Sequence, residues 1–312
     1  MHAPTPLITS PTPLAEWELQ IQIQQALSNK LTGQIQIAFL NGRTESILAQ
    51  HGMVRNLYIR NHRLPDLNWD TPLERFGRGT LTIEPLPARA LMFRKVIIEE
   101  ITPPQPQSSG TNQLSTMFNM AEYNLTPTLF HIHWERAEGF VLVAGKNIPI
   151  CRAVLLTETI ANDKPSALSQ ILSWEEAQCK VTVHHGDIKN QAWLEVYLNI
   201  LLEWYCQNML NYYKHLTGTV MVRSVLQSLS VIAERKGWNI TTQDQQLNDT
   251  SIFLTAAETG NTYREILATI KSRIEPIIGS SLTGNLIRQS LEPTRGTYKT
   301  IQETFGLIED AQ

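Results

Sequence analysis

The chain has little that would commit it to a chemistry. Three cysteines in 312 residues, Cys151, Cys179 and Cys206, form an odd, sparse set without CxxC spacing. That argues against a disulfide framework and fits a reducing cytoplasm, with all three as small buried hydrophobes. No apolar run approaches the roughly 20 residues of a membrane span, so no membrane insertion is expected. With 26 Lys and Arg against 29 Asp and Glu, the net charge is −3, which leaves no basic footprint for nucleic acid or an anionic bilayer. Pro4, Pro6, Pro11 and Pro13 open the chain without a basic stretch ahead of an apolar one. Residues 1–13 therefore read as an extended, disordered tail and not as an export signal. Phosphate loops are missing too: Gly279-Ser-Ser-Leu-Thr-Gly284 lacks the P-loop lysine, and no GxGxxG follows a strand. Neither GxSxG nor HExxH occurs.

What is present is one building plan laid down twice. Leu31-Thr32-Gly33 opens the alternating run Gln34–Phe39, and Leu125-Thr126 opens the run Leu129–Trp134. Gly52 and Gly145 sit in turns between strand-like runs, Leu81-Thr82-Ile83 recurs as Val181-Thr182-Val183, and the helical run from Ala90 recurs from Ala192. Order and element type are kept at offsets of about 90 to 100 residues, the mark of a duplicated module. In the first copy, residues 14–29 suit a helix. Gln34–Phe39, Glu45–Gln50 and Val54–Arg60, punctuated by Asn41-Gly42 and His51-Gly52, read as an antiparallel meander. Thr80–Glu84 then precedes a helix over Ala90–Ile101.

Residues 102–112, Thr-Pro-Pro-Gln-Pro-Gln-Ser-Ser-Gly-Thr-Asn, form the clearest linker. The second copy predicts a helix near Gln113–Tyr123, strands near 129–135, 140–144 and 151–157, and a helix from Pro165. The matching stretch of the first copy, Asp66–Phe76, is too broken for a good helix. A long helix from Gln191 to about Leu216 follows. Beyond it the chain is helical: Val220–Lys236, then a helix opened by the capping sequence Thr262-Tyr-Arg-Glu265 and ended by Pro276, then Leu282–Leu291 and Thr297–Leu307. Residues 240–255 fit either a loop or a short strand. The expected fold is α+β, with two tandem small antiparallel-sheet modules at 14–101 and 113–216 followed by an all-helical C-terminal domain at 217–312.

Each half resembles the PATAN domain, the N-terminal module of PatA-type response regulators, whose plan runs helix, strand, strand, Gly turn, strand, helix, strand and helix. The resemblance rests on Leu31-Thr32-Gly33-Gln34-Ile35, on Gly52 and Arg55-Asn56-Leu57-Tyr58, and on Ala167–Trp174 followed by Cys179-Lys180-Val181-Thr182-Val183. It covers about 200 of the 312 residues. It implies a regulatory role through protein–protein contact in pilus-driven motility or phototaxis of photosynthetic bacteria. The partner would be a motor ATPase or another signalling component. The chain departs from PatA-type proteins in lacking the strand-Asp-helix alternation of a receiver domain, which puts direct phosphorelay control in doubt.

Candidate sites are few. His131, His133 and Glu135 alternate along one strand, and His184 and His185 end another, so imidazoles at 131, 133 and 185 could serve zinc, copper or iron. Phe130, Ile132 and Trp134 take the opposite face, and the expectation is therefore surface histidines on a solvated sheet face, with no bound metal and no cofactor. Arg55, Arg60 and Arg63, with His62 nearby, suggest a solvated edge strand protected by charge, or else a contact for a phosphate or an acidic partner. The most promising feature is an aromatic ridge on the long helix, Trp193, Tyr197, Trp204, Tyr205, Met209 and Tyr212. Packing accounts for much of it, and any aromatic left outside would anchor a partner or a second copy. The sequence reads as a non-enzymatic cytoplasmic regulator. A metal-dependent enzyme or sensor and a structural subunit of a larger assembly are the alternatives.

Overall fold

The computed structural model describes residues 11–59, 62–63, 78–100, 102–146, 148–243, 246–291 and 295–307. The fold is mixed α+β, with antiparallel sheets in the N-terminal part and helices beyond. The chain divides into two compact units, one of residues 1–120, 128–143 and 151–185, the other of 121–127, 144–150 and 186–312. This division runs through residues 113–185. Among the described residues no helix is long and apolar enough to cross a membrane.

The first unit holds both sheets. In the first copy, β1 (Thr12–Leu14), α1 (Glu16–Ser28), β2 (Gly33–Phe39), β3 (Thr44–Gln50), β4 (Met53–Ile59), β5 (His62–Arg63), β6 (Gly79–Pro85) and α2 (Ala88–Glu99) follow in order. The strands pair as β1-β6-β2-β3-β4-β5. Ile35, Ile37 and Phe39 alternate onto one face, where Ile47, Leu57 and Leu81 join them. Leu19 and Ile23, one turn apart on α1, close a fully apolar cluster over that face. β3 and β4 are joined by a two-residue turn, His51-Gly52, with both φ values positive at 54° and 79°. That is the twist-matched hairpin turn expected of an Xaa-Gly pair.

The second copy repeats the arrangement with β7 (Gln107–Gly110), α3 (Leu114–Ala121), β8 (Thr128–His133), β9 (Ala137–Val143), β10 (Cys151–Thr157), β11 (Ala161–Asn162), α4 (Ser166–Leu172) and β12 (Gln178–His185). Its strand order, β11-β10-β9-β8-β12-β7, is the first sheet's order read from the other edge. Register is kept as well. Gly33↔Pro85 and Gly33↔Ala49 in one sheet correspond to Thr128↔His185 and Thr128↔Val143 in the other. Leu86 N–H donates to Thr32 O at 3.0 Å, and Gly186 N–H to Pro127 O at 2.8 Å. α3 covers the Phe130 face as α1 covers the Ile35 face, with Phe118 and Phe130 edge-to-face at 5.0 Å.

Two edge strands lie where tail and linker were expected. β1 pairs with β6 through Pro13↔Thr80, and β7, inside the 102–112 stretch, pairs with β12 from Gly110↔Gln178 to Gln107↔Val181. Both are short and polar or proline-bearing, a composition that suits only the outside of a sheet. α4 appears as expected, while Asp66–Phe76 lies outside the described residues.

α2 separates the two sheets. Its Glu99 accepts from Tyr58 Oη of the first sheet at 2.8 Å, and its Phe93 ring lies 6.0 Å from Phe140 of the second. Arg89, Ala90, Leu91, Met92, Phe93, Lys95 and Val96 are all buried, as a helix with a neighbour on each side requires.

The second unit is built on α5 (Gln191–Thr217), α6 (Thr219–Lys236), α7 (Ala256–Ile278), α8 (Ser280–Leu291) and α9 (Thr297–Thr304). Asn190 caps α5, its side chain accepting from Ala192 N–H at 2.8 Å and Trp193 N–H at 3.3 Å. The unit is not all-helical, because β13 (Ile240–Gln243) and β14 (Gln246–Asp249) form a hairpin in the ambiguous stretch. α7 also starts earlier than Thr262. Thr255 Oγ1 accepts from Glu258 N–H at 3.1 Å while Glu258 reaches back to Leu254 N–H at 2.9 Å, so the working cap lies one motif upstream. Pro276 stands inside the last turn of α7, which ends at Gly279; so near the end a proline removes little of the helical ladder.

Candidate functional site

Register assembles a polar cluster on the second sheet. His133 lies opposite Glu138, and His131 opposite both Phe140 and Thr182. Directly paired residues share a face, as do residues two apart, so β9 contributes Glu138 and Phe140, β8 His131 and His133, and β12 Lys180, Thr182 and His184. Phe93 and Arg94 of α2, with Glu100 just past its end, reach this face. The solvated face expected from the sequence is thereby corrected: His131 and His184 are buried, at 7% and 1% exposure, while His133 and Lys180 at the rim are open. The reason is α2, whose second side needs a partner.

Arg94 of α2 organises the cluster. Its Nη2 lies 2.5 Å from Glu138 Oε2 and 3.4 Å from Glu84 Oε1, and its guanidinium sits 5.4 Å from the centre of the Phe140 ring. The other oxygen of Glu138 meets His131 Nε2. The His131 ring stacks on Phe140, 4.7 Å apart and 6° from parallel, and has the His133 ring 4.0 Å away. Alongside, His184 Nδ1 meets Glu100 Oε2, and the His184 ring lies 6.4 Å from that of His131.

Burial governs the charge states. It lowers the His131 pKa to about 4, against the opposing pull of Glu138, so this imidazole is neutral at ordinary pH and donates to a carboxylate. Burial also lowers His133, with Arg94 and Lys180 adding to the effect and Glu138 opposing it. For Glu138, desolvation acts upward but is outweighed by the His131 hydrogen bond and the Arg94 charge, and its pKa falls below the usual value. Glu84 goes the other way: burial raises it, Glu138 adds to the rise, and Arg94 only partly offsets both. Two carboxylates thus share one guanidinium, with the ionised form favoured on Glu138.

Among the described residues, His131, His133 and Glu138 are a group able to offer three ligand atoms to one ion, all within 4.8 Å of one another. His185 does not join them; it falls on the other face of β12 and is exposed. Glu135 is exposed and its backbone N–H donates to Glu176 Oε2 at 2.8 Å. Sequence alternation marked His131 and His133, but Glu138 became visible only through the β8–β9 register.

The aromatic ridge is largely interior. Trp193, Tyr197, Tyr205 and Met209 are buried, and Trp204 is half-buried. Tyr205 Oη meets Gln302 Oε1 of α9, and the Tyr197 ring lies edge-on to Tyr298 at 5.0 Å. Tyr197 and Tyr205 are thereby tied to α9 of the same unit. Tyr212 remains outside at 45% exposure, with Leu216 one turn on at 57%. Arg55 is half-buried on β4. Arg60 and the side chain of Arg63 lie outside the described residues.

No protein-family model, curated protein or solved structure matches the chain.

Proposed function

We propose that the protein is a non-enzymatic regulator that works by binding another protein, with Tyr212 and Leu216 at the centre of the contact. The observation carrying this reading is that these two apolar side chains stand one turn apart on α5 and stay exposed while the rest of the ridge is packed. Residues four apart share a helical face. Val220, just past Gly218, is 74% exposed and extends the apolar segment. Covering the exposed parts of Tyr212 and Leu216 would contribute roughly 2 kcal/mol, enough for a hot spot at the core of a larger interface.

The tandem modules support a regulatory setting, since the PATAN resemblance implies control of pilus-driven motility or phototaxis in the cytoplasm. A motor ATPase or a signalling component is the partner that resemblance suggests. Tyr212→Ser with Leu216→Ser in the full chain tests the surface. The expected outcome is loss of the partner recovered with the wild type, with the thermal midpoint unchanged. Undiminished recovery would remove this face from the account and leave the sheets as the binding surface.

A further inference from the structure

The histidine cluster on the second sheet carries an inference beyond protein contact. We propose that His131, His133 and Glu138 bind a single divalent transition-metal ion, Zn2+ by its ligand preferences. The three ligand atoms already lie within 4.8 Å of one another. Zinc asks for about 2.0–2.2 Å to each, and the exposed His133 has the freedom to turn inward and close the remaining gap. The same exposure gives the ion a way in. Two imidazole nitrogens and one carboxylate oxygen suit the zinc, cobalt and nickel class and not calcium or magnesium, which take oxygen ligands.

The surroundings are those of a ligand set. Glu138 has one oxygen fixed by Arg94 at 2.5 Å, which turns the other toward His131. Outer partners of this kind orient metal-binding carboxylates. An independent observation comes from His184. It is buried, its Nδ1 is engaged by the Glu100 carboxylate, and its Nε2 has no hydrogen-bond partner. A carboxylate on one ring nitrogen and a bare lone pair on the other is the arrangement that metal-ligating histidines adopt. A buried nitrogen without a partner is costly to leave dry, and the His184 ring is 6.4 Å from that of His131 on the same face. Arg94 does not make the site cationic, because Glu84 and Glu138 share its single charge. When the ion enters, the His131–Glu138 hydrogen bond opens, the Nε2 proton passes through solvent to Nδ1 so that His131 takes its other neutral tautomer, and the freed Nε2 and Glu138 Oε1 turn to the metal.

The test uses the full chain, purified without a metal-affinity step and stripped with chelator, then dialysed against Zn2+ or Co2+. The expected result is one ion per chain by elemental analysis and visible absorption from the bound Co2+. His133→Gln and Glu138→Gln should each weaken binding at least about ten-fold, whereas His185→Gln, on the opposite face, should leave it unchanged. His133 is exposed, so that variant keeps its fold and its result stands even if Glu138→Gln unfolds. Sub-stoichiometric metal in the wild type, or binding that His133→Gln leaves intact, overturns the proposal.

Discussion

The two sheets share strand order and register, yet the same corner of each is built for a different neighbour. The positions in the first sheet that correspond to His131, His133 and Glu138 are Gln36, Ala38 and Thr44, and all three are exposed. Glu84 of β6 likewise corresponds to His184 of β12. Hydrogen-bond ladders fix the first kind of similarity without consulting side chains. The side chains on a face answer instead to what covers it. In the second sheet Phe93, Arg94 and Glu100 reach this corner from α2 and its end, and there the small polar residues are replaced by imidazoles, a carboxylate and Phe140. Duplication preserved a frame, and one copy's helix then completed the other copy's face.

The largest effect should come from removing helices. A chain ending at Leu216 loses α6 to α9 and uncovers Tyr205, Met209 and Tyr213 on α5, all buried in the full protein. It should aggregate, or bind a dye specific for exposed apolar surface, while both sheets persist by circular dichroism. A soluble, monomeric product would mean that α5 is satisfied without its neighbours.

Next comes Phe93→Ala in α2, which should cost about 3–5 kcal/mol in urea denaturation, because the ring is buried against Phe140 of the other copy. A loss below about 1 kcal/mol would show that the helix does not join the sheets. Smaller, and sharper for the duplication, are the turn glycines. Gly52 has φ +79° with Leu27 O 2.2 Å from where a Cβ would stand, and Gly145 has φ +92° with Asn124 O at 2.5 Å. Each alanine should destabilise by about 1–3 kcal/mol, and by similar amounts. One costly and one neutral substitution would break the equivalence.

The second unit supplies a contrast in buried carboxylates. Burial raises the pKa of Asp249, against hydrogen bonds from Tyr263, Ser251 and Asn199, while Glu138 in the first unit is lowered. A carboxyl raised in the fold binds its proton more tightly folded than unfolded. The stability it contributes is present below the unfolded pKa and is lost as pH rises toward the folded value. Asp249→Asn should therefore flatten the fall in stability on going from acid toward neutral pH. An unchanged pH profile would contradict the raised value.

Much of the frame was legible. Alternation located β2, β3, β4 and β6 and their counterparts, glycine marked the turns, and residue order disclosed the repeat. The edge strands were not, since Pro13 and the polar Gln107–Gly110 acquire strand geometry only from their partners in β6 and β12. The helical start at Ala256 was hidden by two competing capping sequences seven residues apart. At the site, alternation put His131 and His133 on one face, but the choice between His184 and His185 depended on register. The burial of that face depended on a helix from the other copy, which no local pattern announces. The all-round burial of α2 was the one available hint, in the apolar run Ala90-Leu91-Met92-Phe93 beside Val96-Ile97-Ile98.

That α2 of the first copy completes the face of the second is tested most directly by a double-mutant cycle on Arg94 and Glu138, with Arg94→Met and Glu138→Gln made singly and together. The account predicts a coupling of about 1–3 kcal/mol in unfolding free energy, as for side chains in one hydrogen-bonded ion pair. Additive single effects, with coupling near zero, would contradict it.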